Sequence, residues 1–232
     1  MKFGITQTFQ CAYLPNEQER LIVLVEESND PKEPYEKLLN AGFRRSGAQI
    51  YRPHCINCNA CQSLRVPIEY FRLSRSQKRI QTKNRDIKVV INRSDQPTYY
   101  QLYRRYINAR HTDGSMFPPN KEQYESFLCH DRAEQLFIEL WLDNTLVGVA
   151  VTDEVSDALS ALYTFYAPEL EDRSLGTYAI LCQIEQAKAL GKQYLYLGYQ
   201  IDDCAKMNYK AKFHPHQRFI DNKWHEFTKK PD

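Results

Sequence analysis

A chain of 232 residues, 42% of them hydrophobic and 26% charged, has the size and apolar content for one large domain or two small ones with a real core. Its 31 Lys and Arg against 29 Asp and Glu leave a net charge of +2, which selects no partner by itself. No stretch approaches the roughly 20 apolar residues that span a bilayer, and residues 1–8 hold neither a long apolar run nor a small-residue cleavage signal, so the reading is a cytoplasmic protein with no membrane partner.

In chain order, residues 21–25 are a short apolar run of the buried-strand type. Residues 34–42 read as a helix, with Pro near the start, apolar residues on one face and Gly at the end. Residues 43–51 and 63–68 read as strands on either side of a cysteine-bearing loop. Ser74 or Ser76 caps a helix running to about Asn84, and residues 87–91 return as strand. Residues 98–108 and 121–129 are helical, separated by loop signals at Asp113-Gly114-Ser115 and Pro118-Pro119. Residues 135–142, 146–152 and 158–166 then form an antiparallel meander whose first turn is Asp143-Asn144. A helix opened by Ser174 or Thr177 runs to about Leu190 and closes at Gly191, and residues 194–199 are one more strand. Meander, helix, strand is the order of the acyltransferase (GNAT-like) fold. The expected class is therefore α+β, with such a central sheet in residues 111–232. A smaller cysteine-containing, basic α/β region precedes it in residues 1–110.

Two local features carry chemistry. Cys11 and Cys55-Ile56-Asn57-Cys58-Asn59-Ala60-Cys61 hold four of the seven cysteines, and their tight spacing lets sulfurs converge on a Zn²⁺ ion or an iron–sulfur cluster. Simple reduced thiols are the alternative of equal weight. Cys129 and Cys182 read as small core residues, and Cys204 falls beside the second-half motifs. Downstream of the cysteine loop, Arg72, Arg75, Lys78, Arg79, Lys83, Arg85, Lys88 and Arg93 oppose one acid, Asp86. Helical spacing sets Arg75, Lys78, Arg79 and Lys83 toward one face, the footprint of a docked polyanion; a solvated helix face is the competing reading.

A series of short motifs runs along nearly the whole chain. Cys11-x-Tyr13-Leu14-Pro15, Gly42-Phe43-Arg44-Arg45-Ser46-Gly47, Tyr51-Arg52-Pro53-x-Cys55-x-x-Cys58-x-x-Cys61, Leu64-Arg65-Val66-Pro67 and Ser74-Arg75-Ser76-Gln77-x-Arg79 come first. Tyr163-x-Phe165-Tyr166-x-Pro168, Ser174-Leu175-Gly176, Tyr196-Leu197-Gly198-Tyr199 and Lys206-Met207-x-Tyr209-Lys210-x-x-Phe213-x-Pro215 follow. In this order they resemble the aminoacyl-tRNA–protein transferases of the N-degron pathway, with the length of the bacterial branch. The resemblance implies transfer of leucine from leucyl-tRNA to the α-amino group of proteins that begin with Asp or Glu, which tags them for degradation. Arginine as donor, an acetyl-CoA-dependent N-acetyltransferase and a non-catalytic, metal-stabilised nucleic-acid-binding module are the competing readings.

Acyl transfer from an activated ester requires no cofactor, because the attacking α-amine has a pKa near 8 and is partly neutral at pH 7. Positioning, a stabiliser for the oxyanion and a route for the amine proton are what the protein must supply. The resemblance puts Tyr166, Tyr199 and Lys206 forward as catalytic residues, with Tyr163, Phe165 and Tyr209 lining the pocket. Arg173, Ser174 and Gly176 stand at a helix start suited to the tRNA 3′ end. Arg44, Arg45, Lys206 and Lys210 are the candidate cations for the acceptor's side-chain carboxylate. Arg72, Arg75, Lys78, Arg79, Lys83 and Arg85 would take tRNA phosphates, and Cys11, Cys55, Cys58 and Cys61 are the candidate structural Zn or iron–sulfur ligands.

Overall fold

The computed structural model describes residues 1–26, 32–114, 116–128 and 133–228; Ser115 and Cys129, both part of sequence expectations, lie outside them. The first third of the chain builds β1 (Lys2–Ile5), a two-residue ladder of β2 (Phe9–Gln10) and β3 (Gln18–Glu19), β4 (Leu21–Glu26), α1 (Lys32–Asn40), and the hairpin of β5 (Arg44–Ser46) and β6 (Gln49–Pro53). Strands β1, β4, β6 and β5 form a four-stranded antiparallel sheet in that order. The single strand expected over residues 43–51 is thus two strands. Gly47 turns the chain with φ +57, and a β-carbon there would lie 2.3 Å from the Ser126 carbonyl oxygen, so only glycine fits.

The rest of the chain adds β7 (Gln62–Pro67), α2 (Arg75–Lys83), β8 (Lys88–Asn92), α3 (Pro97–Arg110), α4 (Lys121–Leu128), β9 (Glu134–Leu142), β10 (Thr145–Glu154) and β11 (Ala158–Tyr166). A 3₁₀ turn over Pro168–Arg173 leads into α5 (Leu175–Ala189) and β12 (Tyr194–Gln200). A second 3₁₀ turn, Asn208–Lys212, precedes the hairpin of β13 (His216–Ile220) and β14 (Lys223–Phe227). Eight strands form one sheet in the order β14-β13-β7-β12-β11-β10-β9-β8, antiparallel throughout except where β11 meets β12.

The meander, helix and following strand stand where the sequence placed them. What it did not place is the partner of that last strand. β7 comes from the first third of the chain and lies between β12 and β13, while β8 forms an edge against β9. One sheet therefore runs across the division drawn at residue 110. Helix α5 packs over the sheet, burying Leu175, Ala179, Ile180, Leu181 and Ile184, and α3 covers the meander with Tyr99, Leu102, Tyr103 and Ile107. Among the described residues no helix is long and apolar enough to cross a membrane.

Candidate active site

The one parallel contact in the large sheet is short. β11 and β12 pair only through Ala158–Tyr194, Leu159–Leu195 and Ser160–Tyr196. Beyond that point β11 continues along β10 to Tyr166, and β12 continues along β7 to Gln200. The two strands splay into a gap that has unpaired backbone on both walls. Gly198, at φ +87 beside a register shift, opens the β12 wall.

Two cations fill the gap's inner part. Arg44 projects from β5 and donates through Nη2 to the Ala161 carbonyl at 3.1 Å, the first residue past the paired segment. Its other terminal nitrogen, Nη1, is buried and has no hydrogen-bond partner. Lys210 reaches in from the second 3₁₀ turn, only 4% exposed, and its Nζ finds the Met207 carbonyl at 3.3 Å and the Met207 sulfur at 3.6 Å. A β-carbon at Gly198 would touch both side chains at 3.9 Å. Neither cation has a carboxylate partner among the described residues. Burial, and then the charge of Arg44, pull the Lys210 ammonium down to a pKa of about 8.

The wide end of the gap is aromatic. Tyr166 ends β11 and packs on Tyr106 of α3 with ring centroids 4.9 Å apart, and burial, reinforced by Tyr166, pushes the Tyr106 hydroxyl above its ordinary range. From the β12 side, Tyr209 stands 40% exposed, its ring 4.7 Å from the Lys210 ammonium and its hydroxyl within electrostatic reach of Tyr166. Tyr166 also lies against Gly176, where an added β-carbon would meet the ring at 3.4 Å. The first turn of α5 therefore borders the mouth, and Ser174 before it is left-handed (φ 54) and makes no side-chain cap. Tyr106 was not among the sequence candidates. Its signal is the three-residue step from Tyr103, which puts two tyrosines of α3 on the face toward β11.

Helix α2 joins this mouth to a basic surface. It opens on a capping box between Ser74 and Gln77 and sinks Gln77 onto the Lys212 carbonyl at 3.3 Å. At its far end Asn84 holds the Arg173 carbonyl at 2.9 Å, Lys83 pairs with Asp172 at 3.0 Å, and Arg173 grips Asp86 with both terminal nitrogens at 2.8 and 2.9 Å. Arg173 is thereby a clamp between α2 and α5, with little of its fork left for a ligand. Arg72, Arg75, Lys78, Arg79 and Arg85 all face solvent, and Arg72 folds one nitrogen onto the carbonyls of Glu69 and Phe71. No acidic partner holds Arg75, Lys78, Arg79 or Arg85 among the described residues.

Several sequence candidates are committed elsewhere. Arg45 points to the opposite side of β5 from Arg44 and makes a buried two-point bridge to Asp153 at 2.7 and 2.5 Å, so it is no acceptor cation. Lys206 is exposed and pairs with the equally exposed Asp113 at 3.2 Å. The Tyr199 hydroxyl shares its proton between the carbonyls of Gly42 and Tyr51, both at 3.2 Å, and burial raises its pKa well above the ordinary range, so it is committed to the protein's own backbone. Phe165 is core, packed on Tyr103 and Tyr124. Tyr163 lies among Tyr103, Tyr106 and Phe127, with its hydroxyl buried and unpartnered.

The cysteines surround one small cavity of about 50 Å³, lined by Cys11, Cys55, Cys58 and Cys61 together with Tyr13, Glu19, Tyr51 and Tyr199. Burial, reinforced by the other three thiols, pushes Cys61 up to about 12. Among the described residues no three Cys, His, Asp or Glu side chains stand at ligating distance of a common point. The donor set of four sulfurs round one cavity is nonetheless the chemistry that zinc or an iron–sulfur cluster takes. Tyr199 lies between this cavity and the cation pair, within the field of both Cys61 and Arg44.

Comparison with known proteins gives concordant matches. Residues 9–79 match the family described as "Arginine-tRNA-protein transferase, N terminus", and residues 98–220 match its C-terminal counterpart. The chain is 57% identical over 230 residues to a Pseudoalteromonas atlantica protein named aspartate/glutamate leucyltransferase, covering 99% of each. It is 53% identical to an Aeromonas hydrophila protein of the same name, covering 100% of this chain and 98% of that one. Among solved structures, the C-terminal domain of a lysylphosphatidylglycerol synthetase from Agrobacterium fabrum aligns at 14% identity with a TM-score of 0.49. That alignment covers 82% of this chain and 62% of that one, a likeness too slight to carry an argument.

Proposed function

The chain belongs to the arginine-tRNA–protein transferase family and is an aminoacyltransferase; from that premise we propose that it moves leucine from leucyl-tRNA to the α-amino group of proteins beginning with Asp or Glu, marking them for degradation in the cytoplasm. The observation that carries the acceptor half is the cation pair in the gap. Two buried positive charges with no carboxylate of the protein's own cost free energy that an incoming carboxylate offsets. Arg44 supplies the recognition, because its free Nη1 and the fork behind it suit a carboxylate oxygen. The acceptor then lies with its acidic side chain on Arg44 and its α-amine toward Lys210 and Gly198.

The donor approaches from the other side. Phosphates of the tRNA run along Arg75, Lys78 and Arg79, and the 3′ end turns past the first turn of α5 between Tyr166 and Tyr209. The ester carbonyl enters the gap where β11 and β12 separate. Unpaired backbone N–H groups on the walls are the donors available to the oxyanion. Reduced Cys11, Cys55, Cys58 and Cys61 would hold a structural zinc ion or iron–sulfur cluster, tying the N-terminal ladder to the loop before β7 with no part in the transfer.

The test is transfer of labelled leucine or arginine from charged tRNA to peptides beginning with Asp, Glu, Ala or Lys. Leucine appearing on the Asp and Glu peptides alone is the expected result. Arginine in its place overturns the donor assignment, and no transfer by the folded protein overturns the reading.

A further inference from the structure

We infer that Lys210 is the proton acceptor of the transfer step, taking the proton that the attacking α-amine sheds and returning it to the departing ribose oxygen. This rests on the transferase reading above, and it gives Lys210 a role different from the acceptor-cation role that the sequence suggests.

Lys210 lies where that proton must go. Its side chain enters the gap with Cε 3.9 Å from where a Gly198 β-carbon would stand, as close to that point as Arg44 Nη2, so an acceptor whose acidic side chain rests on Arg44 brings its amine to this side chain. Three N–H bonds of an ammonium would need three acceptors, yet among the described residues only one carbonyl and one thioether are in reach, both from Met207. The groups that face it from each packed element are Arg44 of β5, Cys204 of the segment after β12, Tyr209 of its own turn and, more weakly, Cys61 of the segment before β7. None is a carboxylate, and Arg44 is a like charge. Burial beside a like charge therefore makes the ammonium easier to deprotonate, and a pKa of about 8 leaves a minor but useful fraction of free base near neutral pH.

The step balances as follows. The neutral α-amine attacks the ester carbonyl carbon, forming the C–N bond and placing the carbonyl electron pair on oxygen. The new ammonium passes its proton to Lys210 Nζ. The ester C–O bond then breaks, its electrons stay on the ribose oxygen, and that oxygen takes the proton back from Lys210. The repulsion of Arg44 drives the return.

The experiment measures kcat/KM against pH from about 6 to 8.5 with leucyl-tRNA and a peptide beginning with Asp. It uses the full chain, Lys210→Arg and Lys210→Met, with thermal midpoints as the check on folding. Two groups must be neutral in the wild type, the acceptor amine and Lys210, so the slope of log kcat/KM against pH approaches 2 at the acid end. Both variants are expected to fall to a slope of 1, with rates about 10²–10⁴-fold lower. If Lys210→Arg retains the wild-type rate and slope, a fixed positive charge suffices and the inference is wrong. A wild-type slope of 1 also overturns it, and that is read on the native protein whatever the variants do. Absence of any transfer by the wild type would overturn the parent reading first, which separates the two failures.

Discussion

Arg44 and Arg45 are adjacent in sequence and opposite in fate. Strand alternation sends one into the gap and the other toward Asp153. Their substitutions should separate accordingly. Arg45→Met leaves the Asp153 carboxylate buried without its partner, and is expected to cost about 3–5 kcal/mol of stability, measured by denaturant unfolding. Arg44→Met removes a buried charge that has no carboxylate partner among the described residues, so the unfolding midpoint should hold or rise. The same variant should lose about tenfold or more in kcat/KM on Asp and Glu peptides, because a charged hydrogen bond is gone. A variant that is as stable as wild type and equally active on acidic peptides would remove Arg44 from the acceptor site. Sequence alone named both arginines as candidates and could not choose between them. The choice depends on Asp153, which lies 108 positions away and is fixed only when β10 and β5 are placed.

At the scale of elements, α2 has a double task. Its buried side holds Gln77 and Asn84 against the segments before α5 and β13, and its outer side presents Arg75, Lys78 and Arg79. The capping box and basic face were legible in residues 74–79, because both are local patterns. What α2 packs against was not, since those contacts lie about 90 to 135 residues away. Replacing Arg75, Lys78 and Arg79 together by Gln should leave folding intact and weaken tRNA binding. The slope of log affinity against log salt should flatten by roughly 2 to 3, which filter binding over a salt series would read. An unchanged slope would show that tRNA phosphates run elsewhere. The two Asp-Asn hairpin turns make a similar contrast. Asp143-Asn144 stands between two apolar runs that mark it as a turn, whereas Asp221-Asn222, which adopts the same left-handed pair of φ values, joins strands β13 and β14 that lack a clear apolar alternation.

Across the whole molecule, the large sheet is assembled from distant parts of the chain. β7 pairs with β12 and β13, which lie more than 125 residues later, so the middle of the sheet closes last in sequence terms. A fragment of residues 111–232 would lack β7 and β8 and expose the edges of β12, β13 and β9. It is expected to stay unfolded or aggregate, and circular dichroism with size-exclusion chromatography would check this. A folded, monomeric fragment would show that residues 111–232 are an independent domain. The meander and α5 could be read from periodicity because each is contiguous. The insertion of β7 could not, because antiparallel pairing across so long a separation leaves no local mark.

The short 3₁₀ turn before α5 has a consequence for turnover. Its Glu169, Glu171 and Asp172 pair with Arg105, Arg110 and Lys83, so three carboxylates sit on cations of the two helices that flank the mouth. They are tethered rivals of phosphate, each worth at most about 1 kcal/mol in so exposed a setting. Any tRNA phosphate that reaches Lys83, Arg105 or Arg110 has to displace these carboxylates, which therefore weaken its hold. Glu171→Gln with Asp172→Asn should tighten binding of deacylated tRNA several-fold and slow multiple turnover while sparing the first cycle, a burst that rapid quench would reveal. The acidic turn would then act as a product-release device, setting how soon the next leucine can be delivered.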